Sequence, residues 1–253
     1  MSELFATESP RVLIHCGGIC DVEKCENDPN WAWQINVHSL EPLLTHLPDD
    51  TRFVYVSSDH VFGGNRGPYT ESSKPDPITV YGQTRVAAEN IVSERRPDAL
   101  IIRTGLAIGP SFDGRTGHLD WLRYRQMRGL PMTVVHDECR STVWADALAL
   151  RIRRMAEASI YGVRHIVSTR TVSRLELARY LNDHFNLGAN LKIEARRDRN
   201  VPHLGRVELQ SCFNDELANP LPSVVCYREL DIPQEGEKSA TSHGTEVAIP
   251  QFE

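Results

Sequence analysis

The chain has 253 residues, 40% of them hydrophobic and 25% charged, a balance that suits one large domain or a main domain with a small appendage. Its net charge of -6, with basic residues scattered rather than striped, argues against nucleic acid as the main partner, because phosphate binding needs a concentrated positive surface. No apolar run is long enough to cross a bilayer and no basic-then-apolar leader opens the chain, so the expectation is a cytoplasmic protein with no membrane role.

In chain order, "RVLIHC" (11 to 16) reads as a short buried strand ending in Gly17-Gly18. Asp28 before Pro29 opens a helix through Leu47, with Pro42 as a candidate kink. "RFVYVSS" (52 to 58) is a second strand, followed by a loop dense in turn residues. Asp76-Pro77 starts a second helix that runs to about Arg96, and "ALIIRTGLAIG" (99 to 109) is a third buried strand. A helix at 117 to 129, a strand at 131 to 135 and a helix from Val143 to about Ala158 complete four strand-helix units. Such alternation predicts an α/β fold, a doubly wound, Rossmann-like parallel sheet covered on both faces, over residues 1–158. A small mixed α/β substrate region is expected at 159–229, with "VRHIVS", a helix opened by the capping box Ser173-Arg174-Leu175-Glu176, and "NLKIEA". Residues 230–253 are polar and aperiodic and read as a disordered tail.

Six cysteines, Cys16, Cys20, Cys25, Cys139, Cys212 and Cys226, contain no C-x-x-C pair and fit no zinc spacing. They read as reduced, mostly buried thiols, with no metal site. The run "EARRDRN" (194 to 200) is either a solvated charge cluster or a seat for a ligand's phosphates.

Tyr81 and Arg85 lie four apart on the second helix, hence on one face. A free phenol titrates near pH 10, so using one as an acid near neutrality requires a cation beside it. Ser58, at the end of the second strand, has a hydroxyl to offer a carbonyl; alone, it equally suits a local backbone bond.

The surrounding stretch "YVSSDHVFGGNRGPYTESSKPDPITVYGQTRVAAE" resembles the extended short-chain dehydrogenase/reductases, and among them the dTDP-4-dehydrorhamnose reductase family, whose pattern is S-T-D-Y-V-F-x-G, P-Y-x-E, then P-x-N-x-Y-G-x-[ST]-K-x-x-G-E. "VLIHCGGICDVEKCENDP", "INVHS", "RTGLAIG", "RSTVWADALA" and "PHLGRVEL" are similar to further family segments, so the likeness spans roughly residues 11 to 220. It implies an NAD(P)-dependent reductase of a nucleotide-sugar ketone, the chemistry of dTDP-rhamnose biosynthesis. Tyr81 would donate the proton, Ser58 would position the carbonyl, and Arg85 would stand in for the family's lysine, acidifying Tyr81 and holding the nicotinamide ribose. Cys16, Gly17, Gly18, Asn36 and Arg85 are the implied contacts for NADP or NAD; Ser58, Asp59, His60 and Arg206 are those for substrate. Asn36 taken alone reads as a helix-to-helix hydrogen bond.

Two departures accompany the likeness. The first is that Arg85 replaces lysine, whereas Ser58 for the family's threonine and His60 for its tyrosine are replacements within the matched motif; the second concerns the start of the fold. The first strand aligns with the family's fourth, so the G-x-x-G-x-x-G turn that receives the pyrophosphate, in roughly the first 50 to 60 residues of the usual fold (two βα units), is not found. "VLIHC" is then expected at an open sheet edge, so either the chain is a fragment of a longer product, or another chain, a protein partner or a second copy, covers the edge, or the fold is marginal. The alternative function is a non-catalytic binding subunit, like the regulatory β subunit of methionine adenosyltransferase, which resembles the same family.

Overall fold

The computed structural model describes residues 10–111 and 117–221, with Phe5 and Thr7. The tail expected at 230–253 lies outside the described residues. Strand β1 (Val12–His15) leads into a turn at Gly17-Gly18 and a short helix α1 (Val22–Asn27), capped by Asp21, which accepts the Lys24 amide. The next helix was expected to run unbroken from Asp28 to Leu47. Asp28 does cap it, accepting the Trp31 amide at 3.0 Å, but it is built in three pieces: α2 (Pro29–Trp33), a widened turn over Gln34–His38, and α3 (Leu40–His46). In the widened turn the Ser39 amide reaches back five residues to the Gln34 carbonyl. The break therefore precedes Pro42, and turns of this kind recur at functional sites because they re-aim a side chain. Here the re-aimed residue is Asn36, which is buried.

Strand β2 (Arg52–Val56) is followed by one tight helical turn, Asp59–Val61. Helix α4 (Val80–Arg95) begins at Thr79, whose hydroxyl accepts the Gly82 amide, and not at Asp76-Pro77 as expected. Asp76 has other work, since its carboxylate accepts the Gly63 amide and its own amide donates to the Val61 carbonyl. The apolar run 99 to 109 was read as one strand and is two: β3 (Leu100–Thr104) and β4 (Leu106–Ile108), in different sheets. Gly105 makes the bend, and a side chain there would run into the Ser141 carbonyl.

Beyond it come α5 (Gly117–Met127), β5 (Met132–Val135), β6 (Cys139–Trp144), α6 (Ala145–Glu157), β7 (Gly162–Ser168), β8 (Thr171–Ser173), α7 (Arg174–His184), β9 (Leu191–Glu194) and β10 (Glu216–Leu217). Val143, expected to open a helix, is inside β6, and α6 starts two residues later. The Ser173 box holds, with the Ser173 hydroxyl accepting the Glu176 amide at 3.0 Å.

The main sheet is parallel throughout, in the order β1-β2-β3-β7-β10. Strand β5, expected in this sheet, pairs instead with β9, while β7, assigned by chain order to the region past residue 158, lies beside β3. Pairing partners are a tertiary choice that periodicity does not encode. Leu40, Leu43, Leu44, Ala88 and Val92 cover one face of the sheet through Phe53, Tyr55 and Ile101. Leu148, Ile152 and Met155 cover the other through Val54, Leu100 and Ile102. The fold is thus a doubly wound α/β, Rossmann-like sheet, and each large core side chain contributes about 1.5–3 kcal/mol by burial. A second core, with Ile108, Leu122, Met132, Leu177 and Leu181, underlies the smaller sheets.

Two expectations of burial need correction. Strand β1 alternates exposed and half-buried residues, with Val12 at 37% and Ile14 at 41% exposure, because among the described residues it has one ladder neighbour, β2. Of the five described free cysteines, Cys16, Cys20 and Cys212 are exposed, because they sit in loops beyond strand ends, and Cys25 alone is buried. Among the described residues no helix is long and apolar enough to cross a membrane.

Candidate active site

Each candidate side chain is held by a local device. Ser58 follows β2 by two residues and caps the tight turn, its Oγ accepting the His60 amide at 3.2 Å and lying 3.3 Å from Asp59 Oδ1. The local backbone bond foreseen for this hydroxyl is therefore present. Helix α4 meets the same turn at Gly82, where a side chain would strike the His60 carbonyl. That close approach brings Tyr81 against His60, ring centroids 5.0 Å apart at 71°. Ser58, His60 and Tyr81 all line one cavity of about 510 Å³, together with Thr104 at the end of β3.

Arg85 lies one helical turn past Tyr81, buried, with its guanidinium carbon 5.0 Å from the Tyr81 ring centroid. Its Nη1 donates to the Tyr55 hydroxyl at 2.9 Å. Burial pulls the Arg85 pKa down, but the neighbouring Tyr81 and Tyr55 phenols outweigh that and hold it above the usual value, so the positive charge is secure. Burial pushes the Tyr55 phenol up despite the opposing pull of Arg85. Among the described residues that line the cavity Arg85 is absent; the charge sits behind Tyr81.

The cofactor candidates gather behind the same helix. Gly18 has φ +132°, and a side-chain carbon there would lie 2.6 Å from Arg85 Nη2 and 2.8 Å from Asn36 Oδ1, so the glycine turn rests directly on both. Asn36 accepts the Ile19 amide at 2.7 Å and donates to the Ile19 carbonyl at 3.1 Å and to Thr84 Oγ1 at 3.0 Å. It is both a helix-to-helix tie and the clamp on the loop. Cys16 and Gly17 are exposed at the carboxyl end of β1, the edge where open parallel sheets bind ligands.

Of the substrate candidates, Asp59 is fully buried and Arg206 is an exposed side chain paired with Glu208; neither lines the cavity. Asp59 is taken by Arg140, which donates from Nε to Oδ2 at 2.8 Å and from Nη2 to Oδ1. Arg140 leads to a set of residues that sequence reasoning missed. Glu138 lies 3.6 Å from both Arg140 and Arg174 and 2.7 Å from His203 Nδ1. Burial pushes the Glu138 carboxyl up, but the His203 bond, Arg174 and Arg140 outweigh it and leave the carboxyl well below the usual range. Burial, and then Arg140, push His60 down to about 3, leaving it neutral. His118 is lowered well below its ordinary value by burial, then Arg174 and Arg140. Arg140, Arg174, His118 and His203 all line the cavity together with Glu138, so that side of the wall sets two guanidiniums against one carboxylate. From "EARRDRN", Arg199 reaches the cavity lining while bonded to Glu194 at 3.0 Å, whereas Arg196 is turned to Asp137.

Comparison with known proteins places this geometry in a family. The profile of the RmlD substrate binding domain matches residues 1–207. The chain is 29% identical over 195 residues to methionine adenosyltransferase 2 subunit beta of Xenopus tropicalis, covering 70% of this chain and 55% of that protein. It is 28% identical over 166 residues to a probable low-salt glycan biosynthesis reductase of Haloferax volcanii, covering 64% of this chain and 55% of that protein. The chain thus spans about half the length of the curated relatives it matches. Among solved structures, dTDP-4-dehydrorhamnose reductase of Bacillus anthracis in complex with NADP superposes with a TM-score of 0.74 at 23% identity, covering 87% of this chain and 79% of that one. A dTDP-glucose 4,6-dehydratase of Streptomyces venezuelae with NAD bound gives 0.69 at 22% identity, covering 83% and 68%. These structural likenesses establish the fold.

Proposed function

The chain belongs to the RmlD substrate binding domain family, and from that premise we propose that it is a nicotinamide-dependent reductase of a nucleotide-sugar ketone, acting as dTDP-4-dehydrorhamnose reductases do. The observation that carries this reading is that Ser58 and Tyr81, from different elements, open on one cavity while the Arg85 guanidinium stands 5.0 Å behind the Tyr81 ring. The residues present fit the nicotinamide end of such a cofactor: Gly18 packs so closely on Arg85 and Asn36 that only a glycine fits, which holds the turn after β1 bare of side chain at the carboxyl end of the sheet. Either NADP or NAD meets that requirement.

When bound, the nicotinamide supplies a hydride; the remaining work falls to the chain. Tyr81 gives its hydroxyl proton to the carbonyl oxygen, so that ketone, hydride and proton together yield the alcohol. Arg85 stabilises the phenolate left behind but cannot pass on a proton of its own, so the phenol is reprotonated from solvent. Ser58 turns its hydroxyl from Asp59 to the carbonyl at little cost, because Arg140 already satisfies that carboxylate. Asp59 is a positioning residue in this scheme. Loss of reduced-cofactor absorbance with a 4-keto-6-deoxy sugar nucleotide tests it: Tyr81→Phe is expected to turn over at least about a hundred-fold more slowly while still binding substrate. A wild-type chain that neither binds nor oxidises the reduced cofactor sinks the reading.

One observation favours a second reading, a non-catalytic binding subunit. Arg85 spends its Nη1 on Tyr55, and the relative at 29% identity is named as a subunit of methionine adenosyltransferase. A complex with that enzyme's catalytic chain, stable in gel filtration and unchanged by Tyr81→Phe, is its signature.

A further inference from the structure

We infer that Tyr55 is the positioning residue for the charge behind Tyr81, its hydroxyl holding the Arg85 guanidinium in place; this rests on the reductase reading above. Arg85 ends a long side chain whose head can swing through several rotamers, so its place one helical turn from Tyr81 does not by itself aim the charge. Its Nη1 is tied to the Tyr55 hydroxyl at 2.9 Å, while its Nε is buried without a partner. The tie sets the planar group between two phenols, its carbon 5.0 Å from the Tyr81 ring centroid and 6.0 Å from that of Tyr55. Gly18 closes a third side, since a side-chain carbon there would lie 2.6 Å from Nη2.

Of the two partners, Tyr55 is the fixed one. It lies on β2 in register with His15 of β1 and Ile101 of β3, and it is wholly buried. The His15 ring stacks on it at 5.7 Å and 20°, and Leu40, Leu44, Ala88 and Val92 share its core. A side chain locked in the sheet therefore aims one that projects from a helix, which is how rigid elements orient reacting groups. The chemistry of the tie matters as much as its place. A neutral hydroxyl holds a guanidinium without cancelling its charge, whereas a carboxylate at this point would cancel it. Tyr55 stays neutral because burial pushes its phenol up more strongly than Arg85 pulls it down, so the charge is left for Tyr81.

The test places Tyr55→Phe in two backgrounds, wild type and Arg85→Lys, whose shorter side chain does not reach Tyr55. With reduced cofactor and a 4-keto-6-deoxy sugar nucleotide, Tyr55→Phe is expected to lower kcat about ten-fold and leave KM unchanged, because Tyr55 is absent from the cavity lining and touches no substrate. In the Arg85→Lys background the same change is expected to cost nothing further, since a pairwise effect vanishes once one partner is gone. No loss in wild type, or a loss of equal size in both backgrounds, overturns the inference and leaves the hydroxyl a packing group. Nitrogen NMR of arginine-labelled protein reads the tie without turnover. The Arg85 Nη protons, assigned by their absence in Arg85→Lys, are expected to be distinct and slow to exchange in wild type and averaged in Tyr55→Phe. A freely rotating Arg85 head in wild type overturns the inference even where Tyr55→Phe fails to fold. A wild type that holds Arg85 still but turns over no sugar nucleotide sinks the reductase reading instead, and the tie is then structural only.

Discussion

At position 85 a guanidinium reaches where a lysine ammonium does not, past Tyr81 to the Tyr55 hydroxyl. One residue thus has two separable duties, a charge beside Tyr81 and a hydrogen bond to a buried phenol. Arg85→Lys keeps the first and loses the second, so it is expected to retain activity within about ten-fold while losing about 1–3 kcal/mol of stability. Arg85→Met loses both, and its turnover should fall by about a hundred-fold. Turnover set beside urea unfolding separates the two; a fully active Arg85→Met would show that the charge is idle. Ser58 and Tyr81 were legible in the sequence because their motifs are local. Arg140 and His203 were not, because their partners Asp59 and Glu138 lie 81 and 65 residues away along the chain.

Among the elements, the widened turn before α3 is the least expected and the most consequential. It sends Asn36 inward to hold Ile19 by both backbone groups and Thr84 by its hydroxyl. Asn36→Ala removes three hydrogen bonds and leaves the Ile19 amide without an acceptor, so it should cost about 2–3 kcal/mol. It should also raise hydrogen exchange at Ile19 well before the core strands respond; an Ile19 amide that stays protected would refute the clamp. Helix starts at Asp28 and Ser173 could be read in advance, since a cap is written within four residues. The true start of α4 could not, because Asp76 is claimed by the Gly63 amide. Nor could the departure of β5 to pair with β9, since any apolar strand of that length suits several neighbours.

At the level of the whole molecule, alternation of strands and helices revealed the layered α/β design but not its fastening. A chain of ion pairs and hydrogen bonds, Asp59, Arg140, Glu138, His203, joins the turn after β2 to the smaller sheets, with buried His60 and half-buried His118 beside it. His60, held at about 3 against an ordinary 6.5, is protonated in the unfolded chain before the folded one. Stability is therefore lost as pH falls from about 6.5 toward 3, at up to about 1.4 kcal/mol per unit. His118 adds to the loss with the same sign, and Glu138, depressed in the fold, adds its own below 4.5. The melting temperature should decline from pH 7 to 5, and His60→Gln should flatten that decline; an unchanged slope would exclude His60 as a source. Strand β1 has a quieter consequence. The Arg52 amide donates to the Arg11 carbonyl, so by alternation Leu13 and His15 turn their backbone groups toward β2, while Val12 and Ile14 turn theirs outward. Deuterium uptake along these four residues should then beat in twos, fast at Val12 and Ile14 and slow between them, and any molecule that zips onto this border would silence the fast beats first.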